Sequence, residues 1–388
     1  MIHVAINAQL VTFGQTYQNA GVSRFTYTLL EALDQLADDD LRYTAYVSSA
    51  EAAAAAASPL GHSKHILLEP ARWPTDKPIK RIVWEQTRLP ARLRESQADV
   101  FHAPVNVLPE RLPCPSVVTI HDLAFVHYPE YFRPARRLYQ RAFTERSAHA
   151  ATQIVTDSES TREDVITAFG IAPERVRVIY PTISPDFQPI RVPATLAAFR
   201  ARHGLPERYL LYLGTLEPRK NVIMLVEAYA RLRAESEAAP PLILAGAKGW
   251  YYDALFERVR ALDLERYVTF AGYVSREEQA LWYAGAALFL YPSLYEGFGL
   301  PVAEALACGT PTITSDVSSL PEVAGPVALQ VPPTDVVRLA HTMRLALADS
   351  GLRARTMVEG PSWTQQFSME RLARQYAQVY RVAAQSPR

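Results

Sequence analysis

The chain has 388 residues with 40 basic and 40 acidic side chains, so its formal net charge is zero. This balance argues against binding to nucleic acid or to an anionic membrane that is driven by the net charge of the whole protein. The composition, 49% hydrophobic and 21% charged, is that of a globular protein with material for two cores. Two distant cysteines, Cys114 and Cys308, indicate a reduced compartment. The chain starts directly with a strand pattern and has no apolar run of membrane-spanning length, so we expect a cytoplasmic protein.

Short apolar runs alternate with helical patterns along the first half of the chain. Such alternation is typical of βαβ units and predicts an α/β fold with a parallel sheet. The predicted strands span 3–6, 43–47, 100–102, 116–120, 153–156 and 176–179. Between the last two, Ser160 and Glu163 are interpreted as a capping box at a helix start.

A proline-rich segment, 181–189, interrupts this pattern and predicts a linker between domains. A second alternation follows, with strands predicted at 209–214, 242–246, 268–272, 288–290 and 312–314. We therefore expect two Rossmann-like domains with parallel sheets, 1–185 and 186–365, that face each other across an inter-domain cleft. The remaining segment, 366–388, contains an amphipathic helix.

The most informative segment is 295–307, which reads Y-E-G-F-G-L-P-V-A-E-A-L-A and follows a predicted strand. It places Glu296 and Glu304 around a glycine-rich corner and a predicted helix start. Ligands of open parallel sheets bind at the carboxyl ends of strands, and free N–H groups at a helix start attract phosphate. The helix dipole alone also favours a glutamate at such a start, and this plain alternative stays open for each residue taken singly.

A pair of cations, Arg219 and Lys220, stands where another predicted strand passes into a helix. Two cations at a helix start oppose the dipole preference, so we expect them to bind an external anion. A planar guanidinium and a compact ammonium suit the oxygens of a diphosphate. The alternative is a solvated surface pair.

The segment E-G-F-G-L-P-x-x-E-A resembles the signature of retaining glycosyltransferases of the GT-B fold, family 4, and the segment from Gly214 to Lys220 resembles the diphosphate-binding motif of that family. The resemblance implies that Glu296 contacts the donor sugar and that Glu304 holds the ribose hydroxyls of the nucleotide. The backbone amides that it implies near the sugar and the diphosphate are those of Gly297, Phe298, Gly299 and Leu300. It also implies that the final helix packs back on the first domain.

Weaker segments extend the resemblance toward the N-terminus. It implies that His121, at the end of a predicted strand, lines the donor-sugar pocket, although a purely structural histidine is the alternative. Asp122 is a candidate to orient that ring. Gly21 lies where the family has a richer glycine loop, so its share of phosphate binding stays open, with Arg24 as a possible compensation.

Two further donor-site candidates lie in the second domain. The resemblance implies that the backbone of Gly272, Tyr273 and Val274 reads the edge of the nucleobase. The alternative is only a helix start capped by Ser275 and Glu278. Glu322, on a later strand-to-helix turn, is a secondary candidate.

The function implied by the resemblance is transfer of a hexose, with retention, from a nucleotide diphosphate sugar to an acceptor hydroxyl in polysaccharide, glycolipid or glycoconjugate synthesis. Arg219, Lys220 and helix-start amides stabilise the leaving diphosphate, while Glu296 and His121 fix the sugar, so neither a metal nor another cofactor is expected. The segments 84–86 and 318–325 resemble mannosyltransferase members, which makes GDP-mannose the expected donor. A UDP-sugar or other nucleotide-sugar donor, a GT-B epimerase and a non-catalytic nucleotide-sugar binder remain alternatives.

The acceptor is expected to be a carbohydrate, a lipid-linked sugar or a small molecule, bound by loops in 9–19 and 71–88. A basic stretch with interleaved aromatic residues runs from Tyr131 to Arg146. It is either the solvated face of a packed helix or a surface for peripheral contact with the inner face of a membrane.

Overall fold

The computed structural model describes residues 1–13, 21–75, 77–247 and 253–386. The chain divides into two compact units, of which the first comprises Met1–Thr182 with Phe367–Arg388 and the second Ile183–Gln366. Each unit has its own parallel sheet with helices between the strands, which confirms the predicted α/β class. None of the helices in the described ranges is long and apolar enough to cross a membrane.

The sheet of the first unit has the strand order β3-β2-β1-β4-β5-β6-β7, and all its described pairings are parallel. Its strands are β1 Ile2–Ala8, β2 Leu41–Val47, β3 Ile66–Pro70, β4 Val100–Ala103, β5 Ser116–Ile120, β6 Gln153–Thr156 and β7 Val176–Val178. The helices of this part of the chain are α1 Val22–Leu36, α2 Ala52–Ala57, α3 Pro78–Thr87, α4 Leu89–Glu95, α5 Ala124–His127, α6 Pro134–Ala150 and α7 Glu159–Phe169.

The sheet of the second unit has the order β10-β9-β8-β11-β12-β13 and is also parallel. Its strands are β8 Leu210–Leu213, β9 Leu242–Ala245, β10 Val268–Gly272, β11 Leu288–Tyr291, β12 Thr312–Ser315 and β13 Leu329–Val331. Its helices are α8 Pro193–His203, α9 Val222–Glu235, α10 Asp253–Ala261, α11 Arg276–Gly285, α12 Leu300–Ala307, α13 Leu320–Ala324, α14 Val336–Ala348 and α15 Leu352–Thr364.

Each sheet reverses its strand order at one place, between β1 and β4 in the first unit and between β8 and β11 in the second. At such a switch point the connections leave in opposite directions and open a crevice at the carboxyl ends of the strands. The strand order therefore leads us to expect a ligand at the switch point of each unit.

The final helix, α16 Met369–Ala384, belongs to the first unit and shares its core with α1 and β1. Two of its buried tyrosines reach polar groups of the sheet. The hydroxyl of Tyr380 lies 2.8 Å from Nδ1 of His102, and the hydroxyl of Tyr376 lies 3.1 Å from Oγ1 of Thr119. Thr119 Oγ1 also lies 2.9 Å from Nε2 of His102, so the four side chains form one buried network.

Both predicted capping boxes are wrong. Helix α7 begins two residues earlier than expected, because Ser158 is its N-cap and accepts a hydrogen bond from the N–H of Thr161 at 3.0 Å. At the start of α11 the Ser275 side chain makes no capping bond. The carboxylate of Glu278 instead accepts hydrogen bonds from Arg202, at 2.7 Å, and from His203.

Candidate functional site

A buried group of opposite charges occupies the switch point of the second unit. After β8 the chain makes a 3-10 turn, Pro218–Lys220, and enters α9 through Asn221, whose φ of 59° lies in the left-handed region. After β11 the chain turns through Glu296 into α12. The Nζ of Lys220 donates to Oε1 of Glu296 at 2.5 Å and to the Tyr291 hydroxyl at 3.0 Å.

Arg219 is held on the other side of the same carboxylate. Its guanidinium donates to the Tyr295 carbonyl at 2.7 Å and to Oε2 of Glu296 at 3.4 Å. It also donates to Glu217 at 3.0 Å. Two glutamates of the chain, Glu217 and Glu296, therefore already neutralise the two cations, Arg219 and Lys220. Their role as a diphosphate clamp stays a prediction.

The carboxylate of Glu296 is ionised in this setting. Burial by itself raises the pKa of a carboxyl group, but the charges of Lys220 and Arg219 and their hydrogen bonds outweigh burial and lower the pKa of Glu296 to about 2. The Ser293 hydroxyl adds a further hydrogen bond to Oε1 at 2.7 Å. Glu296 therefore keeps its negative charge over the ordinary pH range, while burial lowers the pKa of Lys220 in spite of the neighbouring carboxylate.

Two adjacent serines, Ser318 and Ser319, fix the backbone of the glutamate loop. The Oγ of Ser318 accepts from the N–H of Glu296 at 3.0 Å. The Ser319 hydroxyl donates to the carbonyls of Glu296 and Phe298 at 2.9 and 2.7 Å. The sequence did not predict that these serines hold the glutamate loop. A Ser-Ser pair before a short helix gives no sign that it binds backbone groups more than twenty residues away.

The glycine-rich segment Gly297–Gly299 connects the glutamate loop to the start of α12. Gly299 is the N-cap of that helix with φ 107°, and a Cβ there would lie 2.8 Å from the Leu320 side chain. The amide of Leu300, expected near the diphosphate, is the first of α12, so it belongs to the N–H groups that a helix start leaves without an intrahelical partner. Glu304 lies inside the helix, buried, and its Oε2 accepts from the Tyr283 hydroxyl at 3.0 Å.

Three glycines line the carboxyl ends of neighbouring strands. Gly214 follows β8, Gly246 follows β9 and Gly272 ends β10. Gly246 has a φ of 142°, and a Cβ at this position would lie 1.9 Å from the Gly214 carbonyl oxygen. The backbone N–H of Gly246 donates a hydrogen bond to the Gly272 carbonyl at 2.7 Å. Gly246 was not predicted, and only its position after an apolar run could have indicated it. The next residues, Tyr273 and Val274, are 60% and 5% exposed, so the tyrosine is open to solvent and the valine is core.

In the first unit, His121 follows β5 and both of its ring nitrogens have acceptors. Nδ1 lies 2.8 Å from Oδ2 of Asp157, and Nε2 lies 3.0 Å from the Pro104 carbonyl oxygen. Because the Pro104 carbonyl can only accept, Nε2 carries a hydrogen, and an ionised Asp157 carboxylate beside Nδ1 favours the doubly protonated ring, although burial raises the pKa of Asp157. Burial opposes the charge, but Asp157 and the Pro104 carbonyl outweigh burial and raise the pKa of His121.

Asp122 does not orient that ring. Its carboxylate accepts a hydrogen bond from the N–H of Ala124 at 2.9 Å, as a cap of the following turn. The partner is Asp157, which lies 36 residues away in sequence and follows the adjacent strand β6. The phenyl ring of Phe25 packs edge-on against His121, with ring centroids 4.7 Å apart.

Gly21 is the N-cap of α1 with φ 63°, a conformation that favours glycine. The preceding residues 14–20, which include most of the expected acceptor segment 9–19, lie outside the described residues. The phosphate-binding share of Gly21 stays a prediction. Glu322 lies in the first turn of α13.

Comparison with known proteins decides the family. The family model Glycosyltransferase Family 4 matches residues 19–187, and the model Glycosyl transferases group 1 matches residues 197–363. The O-antigen chain mannosyltransferase B of Escherichia coli is 36% identical over 291 residues, which are 75% of this chain and 76% of that protein. The chain belongs to glycosyltransferase family 4. A second relative of this family 4 chain, the serotype-specific mannosyltransferase WbdA of Escherichia coli, is 31% identical over 63% of the chain but only 31% of its own length.

Solved structures show the fold. Sucrose-phosphate synthase from Thermosynechococcus elongatus superposes with a TM-score of 0.76 at 23% identity, over 98% of this chain and 99% of the other. HepE of Anabaena, solved with UDP and glucose, gives a TM-score of 0.72 at 18% identity, over 98% and 100%. The predicted GT-B fold and the predicted family are confirmed.

Proposed function

We propose that this glycosyltransferase transfers mannose from GDP-mannose, with retention of the anomeric configuration, to a hydroxyl of a growing glycan. The observation that carries the proposal is the Glu296–Lys220–Arg219 group at the switch point of the second unit, beside the helix start of α12. The choice of mannose rests on the relatives, of which mannosyltransferase B and WbdA are both named as mannosyltransferases.

In this proposal the acceptor oxygen attacks the anomeric carbon on the face from which the diphosphate leaves. The bond from that carbon to the diphosphate oxygen breaks, and the same diphosphate oxygen takes the proton of the acceptor hydroxyl. Arg219, Lys220 and the amide of Leu300 stabilise the charge that develops on the diphosphate, so the transfer needs no divalent metal. Glu296 accepts hydrogen bonds from the sugar hydroxyls, and Glu304 accepts from the ribose.

Because Asp157 and the Pro104 carbonyl raise the pKa of His121, we propose that this ring is an imidazolium paired with Asp157 at the carboxyl edge of the first unit's sheet. Because both ring N–H groups are already donated to Asp157 and Pro104, we propose that it acts through its charge more than through a hydrogen bond to the sugar. This refines the expected sugar-lining role.

A thermal-shift panel of GDP, UDP, ADP and TDP, each with and without magnesium, tests the proposal. We expect GDP alone to raise the melting temperature, equally with and without the metal. Arg219→Ala should abolish the shift, while Arg231→Ala, an exposed arginine on α9, should leave it unchanged. A shift by UDP instead would favour a UDP-sugar donor, the ligand type with which HepE was solved.

Turnover separates the remaining alternatives. Incubation of GDP-mannose with mannosides, followed by NMR of the new anomeric centre, should show an α-linked product from the α-linked donor. Conversion of the donor without any acceptor would indicate an epimerase. Binding without turnover, unchanged in Glu296→Ala and His121→Ala, would indicate a nucleotide-sugar binder.

We also propose that the enzyme works at the inner face of a membrane through peripheral contact made by α6. Every residue from Arg133 to Leu138 is exposed, and Leu138 is 70% exposed. An exposed cationic and apolar helix end matches an anionic lipid surface. Sedimentation with anionic vesicles measures this contact.

A further inference from the structure

Helix α3 carries three consecutive large polar or aromatic side chains, Trp84, Glu85 and Gln86, whose contacts differ in kind. The Trp84 indole N–H donates to the Ala71 carbonyl at 3.1 Å, and its ring is fully buried. Gln86 donates to the Leu108 carbonyl at 3.5 Å and accepts from a backbone N–H of the same loop. These two side chains therefore hold neighbouring loops against α3 by hydrogen bonds to backbone groups. The hydrogen bond of Glu85 is made to a side chain instead.

The carboxylate of Glu85 instead meets the end of β1. Oε1 accepts a hydrogen bond from Nδ2 of Asn7 at 2.9 Å. The Asn7 amide is fixed in orientation, because its Oδ1 accepts from the N–H of Gln9 at 3.3 Å. The nearest cation is Arg81, whose Nε lies 3.7 Å from the same Oε1. The other oxygen, Oε2, has no hydrogen-bond partner within the described ranges.

An ionisable group so placed has a free-energy cost. The Glu85 side chain is only 12% exposed, and burial raises its pKa despite Asn7 and Arg81. A glutamine could make the same bond to Asn7 without burying a charge. Helix α3 gains nothing in packing from the carboxylate that a neutral side chain would not supply. A buried titratable group with an open acceptor oxygen is more often found where a ligand binds.

The place of this carboxylate in the fold points the same way. Asn7 lies near the carboxyl end of β1, and Pro104 directly follows β4, so the two flank the switch point of the first unit. His121 follows β5, two strands away from β1. Two strand spacings amount to roughly 10 Å along the sheet edge. Asn7, which Glu85 contacts, and the start of the loop at His121 thus lie on the same edge of the sheet, two strand spacings apart.

We propose that Glu85 and Asn7 form the subsite that binds the acceptor, by hydrogen bonds to a pair of neighbouring hydroxyls on its terminal sugar. The free Oε2 accepts from one hydroxyl, and the second N–H of the Asn7 amide donates to the other. This inference deepens the proposed function and rests on it. The negative charge also specifies what is excluded, since a phosphate or carboxylate on that sugar would be repelled by Glu85.

The test compares Glu85→Gln with Glu95→Gln, a matched change of an exposed carboxylate on the adjacent helix α4. With GDP-mannose as donor and a panel of methyl α-mannoside and methyl α-mannobiosides as acceptors, we expect Glu85→Gln to raise KM for the best acceptor at least tenfold. The KM for the donor should stay within twofold. Glu95→Gln should match the wild type. An unchanged acceptor KM, or an equal rise of both KM values, overturns the inference.

A second measurement keeps this test separate from the proposed function. Saturation-transfer NMR detects binding of the same mannosides to the wild-type protein without any donor. Binding that weakens at least tenfold in Glu85→Gln, with an unchanged melting temperature, supports the subsite even if GDP-mannose is not the donor. Absence of saturable binding by every mannoside, or equal binding by both variants, overturns it.

Discussion

Glu296 is the central residue of the proposed donor site, because it neutralises both cations that are proposed to hold the diphosphate. In the structure its two oxygens face Lys220 and Arg219 at 2.5 and 3.4 Å. An arriving diphosphate must therefore share these cations with a carboxylate that is already there. The same carboxylate keeps the cations ordered when no donor is bound, since a buried charge without a partner costs several kcal/mol.

This competition leads to a prediction for Glu296→Gln. Removing the negative charge frees Lys220 and Arg219 for the diphosphate, so we expect GDP to bind at least tenfold tighter, about 1.4 kcal/mol. Mannosyl transfer should nevertheless fall, because the proposed acceptor for the sugar hydroxyls loses its charge. Isothermal titration of GDP and a rate assay with GDP-mannose measure the two effects.

The matched control is Glu304→Gln, which changes the other buried glutamate of the same motif. Its carboxylate contacts Tyr283 and not the two cations, so the variant should bind GDP no tighter than the wild type. Weaker or unchanged GDP binding by Glu296→Gln would contradict the competition between carboxylate and diphosphate.

At the scale of elements, the sequence predicted every internal strand of the two sheets but only two of the four edge strands, β7 and β10. All four residues of β8 and of β11 are buried, and each of these strands appears in the sequence as an unbroken apolar run. The two strands that were missed, β3 and β13, lie at sheet edges and have one buried residue each. Exposure on an edge weakens the apolar pattern by which a strand is recognised, although β7 and β10, which also have one buried residue each, keep enough of it to be predicted.

The candidate site was predictable only in part, for a related reason. The motif 295–307 and the cations at 219 and 220 are contiguous in sequence, so their chemistry could be predicted. Other candidate residues have hydrogen-bond partners from distant parts of the chain. Asp157 lies 36 residues from His121, and Asn7 lies 78 residues from Glu85. A strand order of 3-2-1-4-5-6-7 brings these together, and no local pattern encodes that order.

The docking of α16 gives a prediction at the same scale, on pH. Burial lowers the pKa of His102, which bonds Tyr380 of this helix, to about 3, with a contribution from the charge of His121. The folded ring is therefore neutral, while the unfolded ring takes up a proton below about 6.5. Between these values the unfolded state binds more protons, so the free energy of unfolding falls as pH drops. From pH 7.5 to 5 the contribution of His102 to this loss should be about 2 kcal/mol.

Urea unfolding at pH 7.5 and 5 measures this loss. His102→Gln has no titrating ring but keeps polar atoms for Tyr380 and Thr119, so it should lack about 2 kcal/mol of the pH dependence. His149→Gln, an exposed histidine at the end of α6, should behave as the wild type does. A full pH dependence in His102→Gln would show that another group titrates.

At the scale of the whole molecule, a net charge of zero conceals an uneven distribution. Four arginines at the start of α6 are exposed, together with one large apolar side chain: Arg133, Arg136, Arg137, Arg141 and Leu138. Nothing in the packing of α6 requires this composition, since only Thr144, Ser147 and Ala148 of the helix are buried. Near an anionic lipid surface each cation contributes about 1 kcal/mol, so a local patch can bind where the net charge cannot.

We therefore expect the protein to sediment with vesicles that contain phosphatidylglycerol and not with vesicles of phosphatidylcholine alone, and high salt should release it. Replacement of Arg136, Arg137 and Arg141 by glutamine should weaken binding by about 3 kcal/mol, more than a hundredfold. The control replaces three exposed arginines of the second unit: Arg231, Arg260 and Arg338. Both triple variants have the same net charge, so their vesicle binding should differ only if the contact with the membrane is made locally by α6. Equal loss of binding in the two would mean that overall charge governs the interaction, and equal retention would remove α6 as the contact.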